Sequence, residues 1–132
     1  MKKVILVSIV ILGLLGCSKK LDIATLANTK WTLSEWPGKE LPANAEATLN
    51  FGADSGIGGK SFCNTFGGKG VMTGDQVKFE QIFGTKMFCE AVSKAENDYI
   101  ADLQATNSLE LSAGKLQLLK DGMLLMVFTK SN

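Results

Sequence analysis

The feature that most constrains this chain is an apolar run at residues 4–15 that ends in Gly16-Cys17. The run follows the basic Met1-Lys2-Lys3, and its twelve residues are too few to cross about 30 Å of hydrocarbon as a helix. It has the length of a signal-peptide core. Leu14-Leu15-Gly16-Cys17 resembles a bacterial lipobox, in which the thiol of Cys17 accepts diacylglycerol. We therefore predict a lipoprotein signal peptide at residues 1–16; the alternative is a short membrane anchor with an incidental cysteine.

Removal of the signal peptide leaves three predicted features of the mature chain. Cys17 carries the lipid, residues 17–25 form a polar lipidated tether, and residues 26–132 form one domain. A single acyl chain binds a membrane only reversibly, whereas the two or three chains of a mature lipoprotein hold it firmly. The residue after the lipidated cysteine is Ser18 and not the Asp typical of inner-membrane retention. This predicts attachment to the outer membrane, facing the periplasm.

The charged residues exclude several classes of function. The chain has 14 basic residues, all of them Lys, and 13 acidic residues, and it contains neither Arg nor His. Proteins that bind nucleic acid usually carry a basic excess with clustered Arg, so nucleic acid is not an expected partner. Without His, the chain cannot build a Ser-His-Asp triad, a Cys-His pair or a His-based metal site. We therefore predict no catalytic residues, no metal site and no cofactor.

Two further cysteines, Cys63 and Cys89, remain after lipidation of Cys17. Disulfides persist in the exported compartment that the signal peptide implies. A bond between these cysteines closes a loop of roughly 27 residues, which stabilises the fold by about 3 to 4 kcal/mol in the chain-entropy model. The alternative is a metal or redox pair, but two thiolates without His are too few for a closed zinc site, and there is no C-x-x-C motif. The pattern favours a structural disulfide.

The rest of the chain alternates short apolar segments with turn residues. The strand candidates are residues 31–36, 47–51, 57–62, 71–72, 76–79, 109–112, 116–119 and 124–129. Turns are predicted at residues 52–56 and at Asp121-Gly122, and the glycines at positions 67, 68 and 70 are predicted to break the chain. Apolar residues at helical spacing predict one helix at about residues 91–106. The fold class is therefore mostly β (α+β): a compact antiparallel sheet or barrel of about 7–8 short strands with one α-helix.

Three motifs resemble functional sites, and each has a simpler structural interpretation. Gly59-Lys60-Ser61 resembles the end of a phosphate-binding loop, but the motif needs a glycine where Asp54 stands and a helix from Lys60. Asp54-Ser55-Gly56 resembles one half of an aspartic protease site, which needs two such carboxylates, and a hairpin turn explains it. Met87, Met123 and Met126 are candidate copper ligands, although methionines in apolar strands more often fill the core.

Between Leu26 and Phe128 the chain resembles the META domain, the HslJ-like family of small bacterial envelope proteins. The residues that carry the resemblance are Trp31-Thr32-Leu33, Leu49-x-Phe51, Ile57-x-Gly59, Cys63-Asn64-x-Phe66-x-Gly68, Thr85-x-Met87-x-Cys89, Glu96, Tyr99, Leu103, Leu116-x-Leu118 and Leu124-x-x-x-Phe128. One position departs from the family pattern, because Phe62 stands where the family usually has Gly before the cysteine.

The resemblance implies a compact antiparallel β-structure with one helix and no established catalytic activity. It also implies an association with heat or envelope stress and, for some members, with novobiocin resistance. We interpret the family-motif residues Trp31, Asn64, Thr85, Met87 and Glu96 as structural. Asn64 is expected to tolerate left-handed backbone, Thr85 to bond nearby backbone, and Glu96 to cap the helix, with a functional carboxylate as the alternative for Glu96.

Two functions remain open at this point. The first is a non-catalytic, lipid-anchored envelope module that binds another envelope protein. The second is a protein that binds a small apolar ligand, which a cavity of roughly 300 Å³ or more would favour.

Overall fold

The computed structural model describes residues 19–132, so the predicted signal peptide, Cys17 and Ser18 lie outside the described residues. The strands are β1 (Lys19–Lys20), β2 (Thr29–Glu35), β3 (Thr48–Phe51), β4 (Gly56–Ser61), β5 (Asn64–Thr73), β6 (Gln76–Gly84), β7 (Ser108–Ser112), β8 (Lys115–Lys120) and β9 (Met123–Lys130). One α-helix, α1, spans Ser93–Ala105, and two 3₁₀ helices span Ile23–Leu26 and Glu90–Val92.

Within residues 19–132 the nine strands form one antiparallel sheet, in the order β1-β7-β8-β9-β2-β3-β4-β5-β6. The sheet is open, with β1 and β6 as its edges. It curls so that the edges approach each other: Lys20 Nζ lies 3.1 Å from Asp75 Oδ2, and Val77 N–H donates to the carbonyl of Asn107 at 3.0 Å. Eight strands have four or more residues, and β1 has two. This confirms the predicted antiparallel sheet with one helix, and the sheet is not a closed barrel.

The predicted turns at residues 52–56 and at Asp121-Gly122 are both present. Gly52 N–H donates to the carbonyl of Gly56 at 2.8 Å, which closes the turn between β3 and β4. Asp121 and Gly122 have φ values of 49° and 81°, as a two-residue turn between twisted antiparallel strands requires.

The predicted break at the glycines of residues 67–70 is wrong, because all of them lie inside β5. These glycines let neighbouring parts of the chain pack directly against the backbone of β5. A Cβ at Gly68 would lie 3.1 Å from the carbonyl oxygen of Glu80, and a Cβ at Gly70 would overlap the side chain of Ile23. Glycine is needed here because neighbouring elements occupy the space of a side chain.

The predicted polar tether at residues 17–25 is corrected over its described part. β1 pairs with β7, and Asp22 Oδ1 accepts the N–H of Ala24 at 2.8 Å at the start of the first 3₁₀ helix. Ile23 is buried in the core against Gly70. Residues 19–25 are therefore part of the fold. Among the described residues, no helix has both the length and the apolar character needed to cross a membrane.

Helix α1 packs on the sheet through Tyr99 and Leu103, both fully buried. The hydroxyl of Tyr99 donates to the carbonyl of Thr48 in β3 at 2.7 Å. Trp36, which follows β2, donates its indole N–H to Asp102 Oδ2 at 2.9 Å. Two strands at the centre of the sheet therefore hold the helix, and the predicted helix is confirmed with its start two residues later.

Candidate functional site

The side chain of Asn64 joins three segments of the chain. It is buried at the first position of β5, directly after the turn from β4. Its Nδ2 donates to the carbonyl of Met87 at 3.0 Å and to Glu96 Oε1 at 2.6 Å. Its Oδ1 accepts from Thr85 Oγ1 and from the backbone N–H of Met87, both at 2.8 Å. The whole hydrogen-bonding capacity of this amide is therefore used within the protein.

Glu96, in the first turn of α1, points towards the β4–β5 turn. Its carboxylate accepts from the backbone N–H of Asn64 at 2.8 Å and from Ser61 Oγ at 3.0 Å, in addition to the amide described above. Burial raises the pKa of this carboxyl, but the hydrogen bonds from Asn64 and Ser61 outweigh burial, so the pKa lies below its usual 4.5. An ionised Glu96 therefore fastens the helix to the turn.

The expected capping role of Glu96 is wrong. The N-cap position of α1 is Val92, no side chain caps that end of the helix, and Ser93 is already helical. The S-x-x-E spacing of Ser93 and Glu96 matches a capping box, but the three donors of the β4–β5 turn bind the carboxylate instead.

Thr85 and Met87 contribute to this cluster in different ways. Thr85 Oγ1 donates to Asn64 and accepts from the backbone N–H of Thr65 at 3.2 Å, so Thr85 bonds nearby backbone as expected. Met87 contributes its backbone N–H and carbonyl, while its side chain is 63% exposed. The predicted disulfide between Cys63 and Cys89 is present, with the Cα atoms 6.0 Å apart. It joins the β4–β5 turn to the segment that leads into α1.

The left-handed residue of the β4–β5 turn is Phe62, with φ at 69°, and not Asn64 as expected. The ring of Phe62 is buried, stacks on Trp36 at a centroid distance of 5.8 Å and meets Tyr99 edge-on at 6.0 Å. The residue that departs from the family pattern therefore adopts the backbone conformation that glycine favours. Trp31 lies apart from this cluster, buried in β2, three strands from β5.

A groove of about 370 Å³ lies beside this cluster, between the end of β6 and helix α1. We call it the β6–α1 groove. Its apolar lining is formed by Phe66, Ile82, Met87, Phe88 and Ile100. Phe88 is 80% exposed, so two large apolar side chains, Met87 and Phe88, stand uncovered at its rim. Sequence reasoning missed this surface; the available signal was an adjacent Met-Phe pair in a segment without strand alternation.

Two of the three motifs that resemble functional sites belong to the strands and turns of this sheet. Gly59 lies within β4 opposite Phe66, so no helix follows Lys60 as a phosphate-binding loop requires. Asp54-Ser55-Gly56 belongs to the β3–β4 turn, where Ser55 has φ at 61°.

The three candidate copper ligands occupy different environments. Met126 is fully buried in β9, whereas Met123 is exposed at the start of β9 and Met87 is exposed between β6 and the second 3₁₀ helix. Among residues 19–132, no group of three or more His, Cys, Asp or Glu side chains is placed to hold a metal ion.

Comparisons with known proteins agree on the fold. A family model described as the META domain matches residues 24–132. A search of curated proteins found no significant match. An NMR structure of a protein from Burkholderia xenovorans shares 22% identity and a TM-score of 0.70, over 83% of this chain and 86% of that one. A crystal structure of a DUF4847 family protein from Bacteroides vulgatus shares 16% identity and a TM-score of 0.58, over 81% of this chain and 94% of that one. These identities are low, so the two structures show the fold alone.

Proposed function

This chain belongs to the META domain family, and from that premise we propose that it is a non-catalytic, lipid-anchored interaction module of the bacterial envelope. The observation that carries the proposal is the uncovered apolar pair Met87 and Phe88 at the β6–α1 groove. Exposed apolar side chains that cluster on a rigid support are typical of protein-binding sites. The support is rigid because Asn64, Thr85 and the disulfide fix the backbone from which both side chains project.

The proposed anchor is the lipid on Cys17, at the outer membrane and facing the periplasm. Only Ser18 separates Cys17 from β1, the first strand of the described residues. The lipid therefore holds the domain close to the bilayer surface. The expected result of Cys17→Ala is release of the protein to the soluble fraction or retention of the signal peptide. Normal processing with unchanged membrane retention contradicts the anchor.

The proposed contribution of the module is tolerance of envelope or heat stress, and of novobiocin. We expect a strain without this protein to grow more slowly at raised temperature and in the presence of novobiocin. The full-length chain restores growth, and a chain with Met87→Ala and Phe88→Ala does not. Met123→Ala is the matched control, because Met123 is 65% exposed and lies at the start of β9.

The test of the interaction is photo-crosslinking in living cells. p-Benzoylphenylalanine replaces Phe88 in one full-length chain and Met123 in another. We expect one envelope protein to be recovered in near-stoichiometric amount from position 88 and not from position 123. Recovery of the lipoprotein alone from both positions overturns the interaction module.

The volume of the β6–α1 groove supports a second candidate, a protein that binds a small apolar ligand. A thermal-shift screen of the purified lipoprotein, with novobiocin among the compounds, tests it. A rise in melting temperature that Phe88→Ala abolishes supports this candidate. An unchanged melting temperature with every compound contradicts it.

A further inference from the structure

The β6–α1 groove includes part of the free edge of the sheet. β6 is the last strand, with β5 as its neighbour on one side. Asn107 accepts from Val77 N–H on the other side at 3.0 Å, so the open part of this edge is the end of β6 around Gly84. Successive residues of an antiparallel strand direct their N–H and C=O groups to opposite sides. Thr85 N–H donates towards β5, to the carbonyl of Thr65 at 3.0 Å, so Gly84 directs its backbone groups away from β5. Gly84 lines the groove, where its N–H and C=O face the side on which another strand can pair.

Both faces of this edge present apolar side chains. Ile82 lines the groove on the helix side, and Ile100 and Ala101 of α1 form the opposite wall. Phe83 is 72% exposed and covers Gly67 on the other face of the sheet. A strand added beside β6 would therefore place alternate side chains against the groove lining and against Phe83.

We propose that the groove binds an extended polypeptide segment of a partner protein, which adds as a strand to the free edge of β6. This inference rests on the proposed function for its setting in the envelope and names the chemistry of the partner. Backbone hydrogen bonds to Gly84 supply affinity, and apolar side chains at alternate positions supply specificity. A small apolar ligand would fill the groove but would leave the backbone groups of Gly84 unused.

The position of the groove relative to the anchor favours a protein over the membrane as the occupant. The start of β6 lies at the anchored end of the domain, because Asp75 contacts Lys20 of β1. From Gln76 to Gly84 the nine residues of β6 extend at most about 26 Å away from that end, because Gln81, with φ at 53°, interrupts the regular strand. The groove therefore lies at the end of β6 that is far from Lys20 and from the lipid on Cys17.

The experiment uses the full lipoprotein purified in detergent and a phage-displayed library of random dodecapeptides. We expect selected peptides to carry apolar residues at alternate positions. Two N-methylated forms of the best peptide are then compared, one methylated at odd-numbered and one at even-numbered residues. One of them should bind more weakly, by about tenfold or more, because only alternate N–H groups of the peptide face β6. Strand addition is overturned if N-methylation at odd-numbered and at even-numbered peptide residues weakens binding equally, or if the library yields no binders.

A second measurement follows hydrogen exchange at the edge of β6. On peptide binding, hydrogen exchange at the Gly84 amide should slow about tenfold or more, while the amide of Thr65 changes little. Unchanged exchange at Gly84 under saturating peptide contradicts the proposal.

Variants keep the test independent of folding defects. Met87→Ala with Phe88→Ala removes exposed side chains only, so the melting temperature should be unchanged while peptide affinity falls. Ala101→Trp fills the groove from the helix side, and Ala53→Trp in the exposed β3–β4 turn is its matched control. Peptide affinity that survives all three groove substitutions overturns the site.

The two proposals fail separately. A cellular partner that crosslinks elsewhere, together with no peptide binding, removes strand addition and leaves the interaction module. Peptide binding without a partner in cells contradicts the interaction module but supports strand addition at the groove.

Discussion

Glu96 accepts two hydrogen bonds from Asn64, one from its backbone N–H at 2.8 Å and one from its side-chain amide at 2.6 Å. The two residues are 32 positions apart, on α1 and at the start of β5. The same amide also holds the backbone of Met87. One buried residue therefore positions the helix wall and the rim of the β6–α1 groove together.

We expect Asn64→Ala to lower the free energy of unfolding by about 2–4 kcal/mol, because it leaves Glu96, Thr85 and the Met87 backbone without their buried partner. Urea unfolding measures this loss. Asn50→Ala, at a half-buried position of β3, is the matched control and should cost less than about 0.5 kcal/mol. Equal losses for the two variants would show that the amide of Asn64 contributes little.

The second prediction concerns the pH dependence that Glu96 gives to stability. Its pKa is lowered in the folded protein from the usual 4.5. The stabilisation is therefore fully present at pH values above about 4.5 and is lost as the pH falls through the folded-state pKa. Glu96→Gln should be less stable than the parent at pH 7 by about 1–3 kcal/mol, and the difference should shrink in acid.

Urea unfolding of both chains between pH 7 and pH 3 measures this convergence. The same substitution in an Asn64→Ala background should have a smaller effect, because the two residues act as a pair. A difference that stays constant with pH, or additive losses in the double variant, contradicts the assigned role.

The third prediction concerns the left-handed backbone of Phe62. We expect Phe62→Ala to cost about 3–4 kcal/mol through loss of the buried ring. Phe62→Gly should cost about 1 kcal/mol less than the alanine variant, because glycine adopts positive φ without steric penalty. At Phe66, which is buried in extended strand β5, glycine should instead cost more than alanine. Urea unfolding of the four variants measures their free energies of unfolding. If glycine is the more stable substitution at both sites, or alanine at both, the explanation by left-handed backbone is refuted.

Features set by local pattern could be predicted from the sequence. The Asp121-Gly122 turn follows from residues that adopt positive φ, and the helix follows from the spacing of Tyr99 and Leu103 with their apolar neighbours. The disulfide follows from the cysteine count and the predicted export of the chain. Each of these inferences needs only neighbouring residues or the composition of the chain.

Features set by contacts between distant segments could not be predicted. Position 70 is glycine within a strand, and not a chain break, because Ile23, far away in sequence, occupies the space of a side chain. Glu96 has the spacing of a helix cap, but its partners come from the β4–β5 turn, whose position depends on the whole sheet. The adjacent Met87-Phe88 pair is a local signal for an exposed apolar rim, but the groove itself depends on the packing of β5, β6 and α1, which form its walls.

The last prediction concerns the disulfide between Cys63 and Cys89, which closes a loop across a sequence separation of 26 residues. Replacement of both cysteines by alanine should lower the free energy of unfolding by about 3–4 kcal/mol, because the unfolded chain regains the entropy of the open loop. The loss should also reduce peptide binding, since Cys89 ends the segment that carries Met87 and Phe88. Ellman titration of the unreduced, denatured protein should detect no thiol from either cysteine. Two reactive thiols, or a double variant as stable as the parent, would refute the structural role of this bond.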